Sequence, residues 1–328
     1  MHVIIPTAGY GTRLRPHTYS KPKPLVKVAG KAVLGHVLDM LTDLDIDELT
    51  FIVGYLGDQI RAYVGQHYNF KTNYVEQKEL KGQAHAIRLT REFVNGPVLI
   101  IFVDTIFEAD LKSLAGVEDD GVIFVKEVED PRRFGVVTLD SAGHITRFVE
   151  KPSQPVSNLA VIGVYYVKDH QLLFRCIDAL IERNIQTKGE FFLADALQLM
   201  VEEGASFQAW TVDVWEDCGT AEAVLHTNRY LLETGHATTT GDGTNSVIVP
   251  PVHIAPGVEV VNSIVGPFVS LAEGSQVLNS IVRDTIVDEG AQIESTVLDR
   301  SLIGKDALVR GRYRKLNVGD SSEVDFTT

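Results

Sequence analysis

Apolar and polar positions change rhythm twice along this chain. Before residue 121, short apolar runs alternate with segments that are apolar every third or fourth position. HVII (His2 to Ile5) reads as a strand, and Val33, Leu34, Val37, Leu38, Leu41 and Leu44 follow at helical spacing. LTFIV (Leu49 to Val53) and NYVEQ read as further strands, with a helix at Gly57 to Gln66 between them. Good helix formers fill Gly82 to Val94, and VLIIFV (Val98 to Val103) is apolar on both faces, as a central parallel strand should be. This alternation predicts a doubly wound α/β sheet with ligands at the carboxyl ends of its strands. From residue 121 the pattern shifts. GVIFVKEV, FGVVTLD and HITRFVE are strands separated by turn residues, and they predict an antiparallel extension of the same sheet. Helices are expected over 169–184, 191–203 and 220–233.

The second change of rhythm follows TGHATTTGDGTNS (Thr234 to Ser246), a stretch rich in Gly and Thr that reads as a linker. Beyond it the sequence repeats. IAPGVEV, LAEGSQV, VDEGAQI and IGKDALV begin at Ile254, Leu271, Val287 and Ile303, and NSIV recurs at Asn262 and Asn279 with a near-copy, STVL, at Ser295. Aliphatic residues return every four to six positions among glycines that no helix would tolerate. So short a repeat, with hexapeptide-like parts, predicts a brief left-handed parallel β-helix. The organisation read from the sequence is therefore a first domain over 1–235, a linker over 236–246 and a solenoid over 247–328. A short solenoid leaves apolar coil faces and an open end, so a homo-oligomer is expected.

Composition narrows the partners. The formal net charge of −14 argues against a nucleic-acid polymer, which the average surface would repel. A small phosphorylated ligand needs only one basic pocket. Cys176 and Cys218 are not spaced as a metal site, and two scattered thiols suit a reducing compartment. No signal-peptide series opens the chain and no apolar run approaches a membrane span. A cytoplasmic protein with no membrane partner is the expectation.

Candidate chemistry concentrates behind the first strand, in PTAGYGTRLRPHTYSKPKPLV (Pro6 to Val26). Gly9 and Gly11 let a ligand approach the backbone and turn N–H groups toward an anion. The third glycine of a dinucleotide fingerprint is missing, and Gly30-Lys31-Ala32 lacks the hydroxyl that ends a P-loop. Arg13, Arg15, Lys21 and Lys23 behind the glycines favour a phosphate-binding loop over a plain turn.

AGYGTRLRPHTYSKPKPLVKVAGK closely resembles the signature of the sugar-1-phosphate nucleotidylyltransferases. The likeness continues in order through Gln77 and Gly82, Asp104 after the central strand, EKP (Glu150 to Pro152), SNLAVIGVYYV (Ser157 to Val167), GEFFLADAL (Gly189 to Leu197) and WEDCGT (Trp215 to Thr220) to the solenoid. Among the branches of that family the chain is most similar to the long thymidylyl-transferring form, which carries a carboxy-terminal left-handed β-helix. The resemblance implies a Rossmann-like mixed-sheet nucleotidyltransferase domain. It also implies Mg²⁺-dependent transfer of a nucleotidyl group from dTTP to glucose 1-phosphate, giving dTDP-glucose and pyrophosphate.

The roles it implies follow residue by residue. Gly11 and Thr12 would bind substrate, and Arg13 would hold the triphosphate and the departing pyrophosphate through its paired donors. Lys23, its backbone stiffened by Pro22 and Pro24, would neutralise the α-phosphate. Asp104 and Asp217 would bind Mg²⁺, a hard ion preferring oxygen ligands beside substrate phosphates. Here Val103 and Thr105 flank Asp104 where the family usually has Gly and often Asn. Lys151 would take the sugar's phosphate and Glu150 its hydroxyls, and Gly163 would let the sugar lie near the backbone. Glu190 reads either as another sugar-facing acid or as a cap for the helix that follows. Gln77, Gly82, Ala8 and Gly9 would form the base pocket, an amide matching the pyrimidine N3–H and its carbonyl. Tyr10 stands in place of a second glycine, as in uridylyl-transferring relatives. Arg15 reads equally as site or surface, Lys21 and Lys27 as surface, and Trp215 and Tyr165 chiefly as packing. His17, His36 and His85 are assigned no chemistry.

Three alternatives stay in view. Thymine and uracil differ by one methyl, worth roughly 1–3 kcal/mol in a pocket, so UTP is the rival donor. A non-catalytic regulatory subunit would have shed charged site residues, yet Arg13, Lys23, Asp104, Lys151 and Asp217 are all present. An acyltransferase solenoid would carry a histidine inside, and none follows His253.

Overall fold

The structure, a computed structural model, describes residues 1–154, 156–239 and 243–311. The chain separates into two compact units, Met1–Thr227 and Asn228–Thr328.

In the first unit the elements run β1 (His2–Pro6), β2 (Lys27–Val28), β3 (Lys31–Ala32), α1 (Val33–Leu41), β4 (Glu48–Val53), α2 (Gly57–His67), β5 (Thr72–Glu76), α3 (Gln83–Arg88) and β6 (Val98–Ile101). There follow β7 (Thr105–Phe107), β8 (Gly121–Glu127), β9 (Gly135–Leu139), β10 (Ile145–Glu150), β11 (Leu159–Val167), α4 (His170–Glu182), α5 (Leu193–Glu202), β12 (Phe207–Thr211), β13 (Trp215–Asp217) and α6 (Ala221–Leu231). The nine-stranded main sheet runs β10-β9-β11-β6-β1-β4-β5, with β8 beside β11 and β12 beside β8. Strands β6, β1, β4 and β5 are mutually parallel, whereas β11 is antiparallel to β6 and β8. The mixed sheet read from the change of rhythm near residue 121 is thus the sheet observed.

Alternate side chains of each central strand enter opposite cores. Val3, Ile5, Leu99 and Ile101 pack with α1 and α2, while Ile4, Val98 and Ile100 pack with α3, α4 and α5. Each fully buried aliphatic side chain of this kind contributes about 1.5–3 kcal/mol. The expected helix over residues 82–94 is broken: α3 ends at Arg88 and a separate 3₁₀ turn, Arg91–Phe93, follows. Thr90 explains the break, since both its N–H and its hydroxyl donate to Ile87 O and tighten the chain there.

The second unit consists of three parallel ladders, the arrangement of a left-handed β-helix. Each coil returns the chain to the same face: Val260 pairs with Val277 and Val277 with Ile293. Val252, Val265, Val269, Leu271, Val277, Val282 and Ile293 point inward and are fully buried. Corners need a left-handed backbone, and Asn245, Asn262, Asn279 and Ser295 supply it in successive coils. Asn245 donates to Asn262 and Asn262 to Asn279, at 2.8 and 3.2 Å, forming an amide ladder.

The division between the units falls before the linker read from composition. Asn228 and Arg229, on the last turns of α6, bond to Phe268, Ser270 and Asp284 of the solenoid, so the end of that helix groups with the second unit. Residues 240–242 of the expected linker and 312–328 of the expected solenoid lie outside the described residues.

Candidate active site

Strand β1 leads by crossovers to β4 and then β5 on one side, and the chain returns to place β6 on the other side of β1. The direction of winding therefore reverses between β1 and β6. A crevice opens where two such carboxyl ends part. Pro6, Thr7, Ala8 and Gly9 leave the end of β1, and Phe102, Val103 and Asp104 leave the end of β6. All seven line one cavity of about 390 Å³.

The basic loop closes the side of this cavity. Gly11 adopts φ +60°, its carbonyl accepts from Thr18 Oγ1 at 2.8 Å, and a 3₁₀ turn over Thr12–Leu14 carries Arg13 to the cavity wall. A second 3₁₀ turn, Lys23–Leu25, holds Lys23 between its two prolines. Lys23 Nζ lies 3.2 Å from Asp104 Oδ2. Arg15, open to either reading by sequence, turns away: its guanidinium stacks over the Tyr19 ring at 4.9 Å, and it lines neither cavity described here.

Asp104 and Asp217 meet through a two-stranded antiparallel ribbon, β7 with β13. Asp217 pairs with Thr105, and Cys218 N–H donates to Asp104 O at 2.8 Å. The residues that depart from the family pattern fit this ribbon. Val103 is buried in the core beneath the turn, and β-branched Thr105 begins β7. Gly219 fixes the second acid, its N–H donating to Asp217 Oδ1 at 2.7 Å. A Cβ at Gly219 would stand 2.8 Å from that oxygen and 3.2 Å from Arg13 Nη2, so the carboxylate and the guanidinium flank a space only glycine leaves open. Among the described residues no carboxylate forms a salt bridge with Arg13.

A second cavity, of about 330 Å³, shares Arg13, Gln83, Phe102 and Asp104 with the first and adds Asp217, Glu150, Lys151 and Gly163. Glu150 ends β10 and is largely buried. Burial pushes its carboxyl above the ordinary carboxylate range, against the opposing pull of Lys151 3.6 Å away. Lys151 itself lies over the Phe192 ring at 5.0 Å.

Gln77 and Gly82 line the first cavity, Gln77 donating from Nε2 to Gly82 O at 3.4 Å. Gly82 sits at φ +112° against Phe191, where a Cβ would fall 2.5 Å from the Phe191 carbonyl oxygen. Glu190 is the residue whose sequence reading left open a sugar-facing acid or a helix cap. It lines the first cavity rather than the one with Glu150 and Lys151, and the cap position of α5 is Phe192.

Sequence reading gave no role to two wall residues, Arg133 and Gly219, and read a third, Trp215, chiefly as packing. Arg132 and Arg133 are indistinguishable by sequence, but Asp130 pairs with Arg132 at 2.8 Å while Arg133 lines the second cavity. Trp215 also lines that cavity, edge-on to Phe134, with its buried indole Nε1 lacking a partner among the described residues. Gly219 was visible only as part of WEDCGT. Tyr165 combines packing with a place on the same wall, and burial raises its phenol well above the ordinary range.

The chain matches the nucleotidyl transferase family over residues 2–234. It is 35% identical over 233 residues to bifunctional protein GlmU of Methanocaldococcus jannaschii, a match covering 71% of this chain and 55% of that protein. The chain thus spans little more than half the length of that relative. It is 33% identical over 222 residues to UTP–glucose-1-phosphate uridylyltransferase AglF of Haloferax volcanii, covering 66% of this chain and 89% of the relative. With glucose-1-phosphate thymidylyltransferase of Streptomyces griseus it shares 30% identity over 360 residues, and the match spans all of both chains. No helix of the described residues is long and apolar enough to cross a membrane.

Proposed function

We propose a function from one premise: the chain belongs to the nucleotidyl transferase family. It transfers a nucleotidyl group from a nucleoside triphosphate to a sugar 1-phosphate, and dTTP with glucose 1-phosphate is the pair we favour. The observation that carries this reading is the junction of the two cavities, where Arg13 and Asp104 face both and Asp217 is delivered by the β7–β13 ribbon. A triphosphate in the first cavity and a sugar phosphate in the second would present their reacting phosphates to each other at that junction.

A sugar-phosphate oxygen attacks the α-phosphorus and pyrophosphate departs in line with it. Positioning and charge compensation account for most of the acceleration in such a transfer. Arg13 and the N–H groups of Gly11 and Thr12 hold the β and γ phosphates and the leaving pyrophosphate. Lys23 exchanges Asp104 for the α-phosphate oxygens, whose charge grows as the bond forms. Lys151 holds the phosphate of the sugar, Glu150 accepts from its hydroxyls, and Gly163 leaves backbone open to the ring. Gln77 and Gly82, with the backbone of Ala8 and Gly9, read the base.

Asp104 and Asp217 fit a magnesium ion. They are two carboxylates that line one cavity, one just before β7 and one in β13, strands paired in the same ribbon. Such a donor set suits an ion that draws its remaining oxygens from phosphate and water. When bound, it would neutralise phosphate charge as a Lewis acid.

UTP is the second reading, supported by the identity to AglF and by Tyr10 at the glycine position. A pyrophosphate-release assay pairing each of five nucleoside triphosphates with the 1-phosphates of glucose, glucosamine, galactose and mannose tests both. Highest kcat/KM with dTTP and glucose 1-phosphate supports the favoured pair, and a UTP preference replaces it. Nucleotide binding without pyrophosphate release in every pairing overturns catalysis itself.

A further inference from the structure

Pro16, Pro22 and Pro24 remove three backbone donors from the basic loop, so its outer arm is anchored through carbonyls. Tyr55 and Gln59 supply the donors. Tyr55 Oη donates to Tyr19 O at 2.9 Å, and Gln59 Nε2 donates to Ser20 O at 2.8 Å. These consecutive carbonyls lie just ahead of Lys23 in the chain. Tyr55 also meets the other arm, its ring 6.1 Å from that of Tyr10. Thr18 joins the two arms from within by its bond to Gly11 O, and a Cβ on Gly11 would stand 2.9 Å from Lys23 Cβ. A shift of the outer arm therefore moves Lys23 and the Gly11 backbone together. Both donors sit on a frame fixed to the cavity. Tyr55 lies in the tight turn after β4, closed by Gly57 N–H on Gly54 O at 3.0 Å, and Gln59 in the first turn of α2. Ile60 and Val64 seat that helix in the core. Gly54 approaches the cavity wall so closely that a Cβ there would fall 2.8 Å from Ala8 O.

We propose that Tyr55 and Gln59 are positioning residues, which hold the backbone of Lys23 in place while its side chain changes partner. Lys23 Nζ lies 3.2 Å from Asp104 Oδ2, and that ion pair fixes the side chain. On the transferase reading, which this role rests on, Lys23 leaves Asp104 for the α-phosphate. The ion pair then no longer holds the arm, whereas the bonds at Tyr19 and Ser20 still do. A lysine stem is long and flexible, so its ammonium meets the growing charge reproducibly only if its Cα stays in place. Neither Tyr55 nor Gln59 lines either cavity, so their effect on the reaction passes through Lys23. Misplacing a group by about 1 Å can cost about a hundredfold in rate. Thr18 and the prolines still restrain the arm when both bonds are lost, so a smaller loss, roughly five- to thirtyfold in kcat, is expected.

Pyrophosphate release by the full chain with its best substrate pair, measured on Tyr55→Phe, Gln59→Leu and the double variant, tests this role. Phenylalanine keeps the ring against Tyr10 and removes only the hydroxyl. Leucine keeps most of the volume of Gln59 and removes the amide. The double variant should show the loss in kcat given above, with KM for the sugar 1-phosphate within about twofold of wild type. A cycle with Lys23→Ala, followed at high enzyme concentration, separates positioning from general support. In that background the same substitutions should change kcat by less than about twofold, because the side chain they place is gone. An equal loss in both backgrounds, or a double variant with wild-type kcat, overturns the proposal. Hydrogen exchange at the Tyr19, Ser20 and Lys21 amides should quicken in the double variant while that of β4 stays as in wild type, and unchanged exchange in the loop overturns it as well. A wild-type chain that releases no pyrophosphate with any pair fails differently, since it overturns the transferase reading and the role of Lys23 with it. Should the double variant melt far below wild type, Tyr55→Phe alone and over Lys23→Ala decides, because the tyrosine is 53% exposed and loses a single oxygen.

Discussion

In the first unit, residues that share a wall are far apart along the chain. In the second, residues that share a column are one repeat apart. Arg13, Asp104, Glu150 and Asp217 leave the ends of different elements and meet only because strand order and the β7–β13 ribbon bring them together. Val260, Val277 and Ile293 stack because the chain covers the same path again in every repeat. The α/β unit thus concentrates many interactions on one junction, where one atom out of place affects everything around it. The solenoid spreads its stability over many similar contacts, each contributing a little. Perturbations should accordingly be catalytic in the first unit and graded in the second.

The largest expected effect is at the acids. Asp104→Asn and Asp217→Asn should each lower kcat/KM by roughly a thousandfold, since on the proposed reading each removes a ligand of the magnesium ion. Their melting temperatures should stay near wild type, and a parallel loss of stability would mean that the acids are structural. Gly219→Ala comes next. The added methyl meets Asp217 Oδ1 at 2.8 Å and presses toward Arg13, which should cost about tenfold to a hundredfold in kcat through misplacement alone. An unaltered kcat would remove Gly219 from the account of the site.

A smaller effect is expected at Glu150. Its carboxyl is raised from the ordinary 4.5 chiefly by burial, so on lowering the pH it takes up its proton earlier than an exposed glutamate. The protonated form cannot accept from a sugar hydroxyl with both oxygens, so affinity for the sugar phosphate should decline on an acid limb lying above that value. Glu150→Gln should raise KM for the sugar phosphate several-fold and flatten that limb, leaving KM for the triphosphate unchanged. A limb that persists in the variant assigns it to another group. The smallest effect is expected in the solenoid. Asn262→Ala forces a left-handed corner at φ +49° onto alanine and breaks the amide ladder, costing about 1–2 kcal/mol, whereas Asn262→Gly should cost less. Both should keep full activity. A loss of transfer activity in either would join the two regions that this contrast separates.

Legibility differed between the regions in a similar way. The shape of the opening loop could be read in part directly, because glycines and cations close together in sequence act through local backbone geometry. Arg15 and Arg133 could not be placed. Whether an arginine meets a cavity or a neighbour such as Tyr19 depends on what else folds beside it. Glu190 stayed open between a sugar-facing acid and a helix cap, because only the Thr187–Glu190 turn sets which cavity it lines.

The sequence by itself determined the two architectures: a helical period against a strand period ahead of the Gly- and Thr-rich linker, and a short aliphatic repeat after it. Periodicity fixes which elements form, because buried and exposed positions must match the backbone repeat. Only the tertiary structure decided that Asp104 meets Asp217, and that of each aliphatic pair, Ile264-Val265 or Ile281-Val282, the first residue faces outward. Both are matters of register between distant segments. One hydrophobic residue looks like its neighbour until the strand beside it settles which side is in.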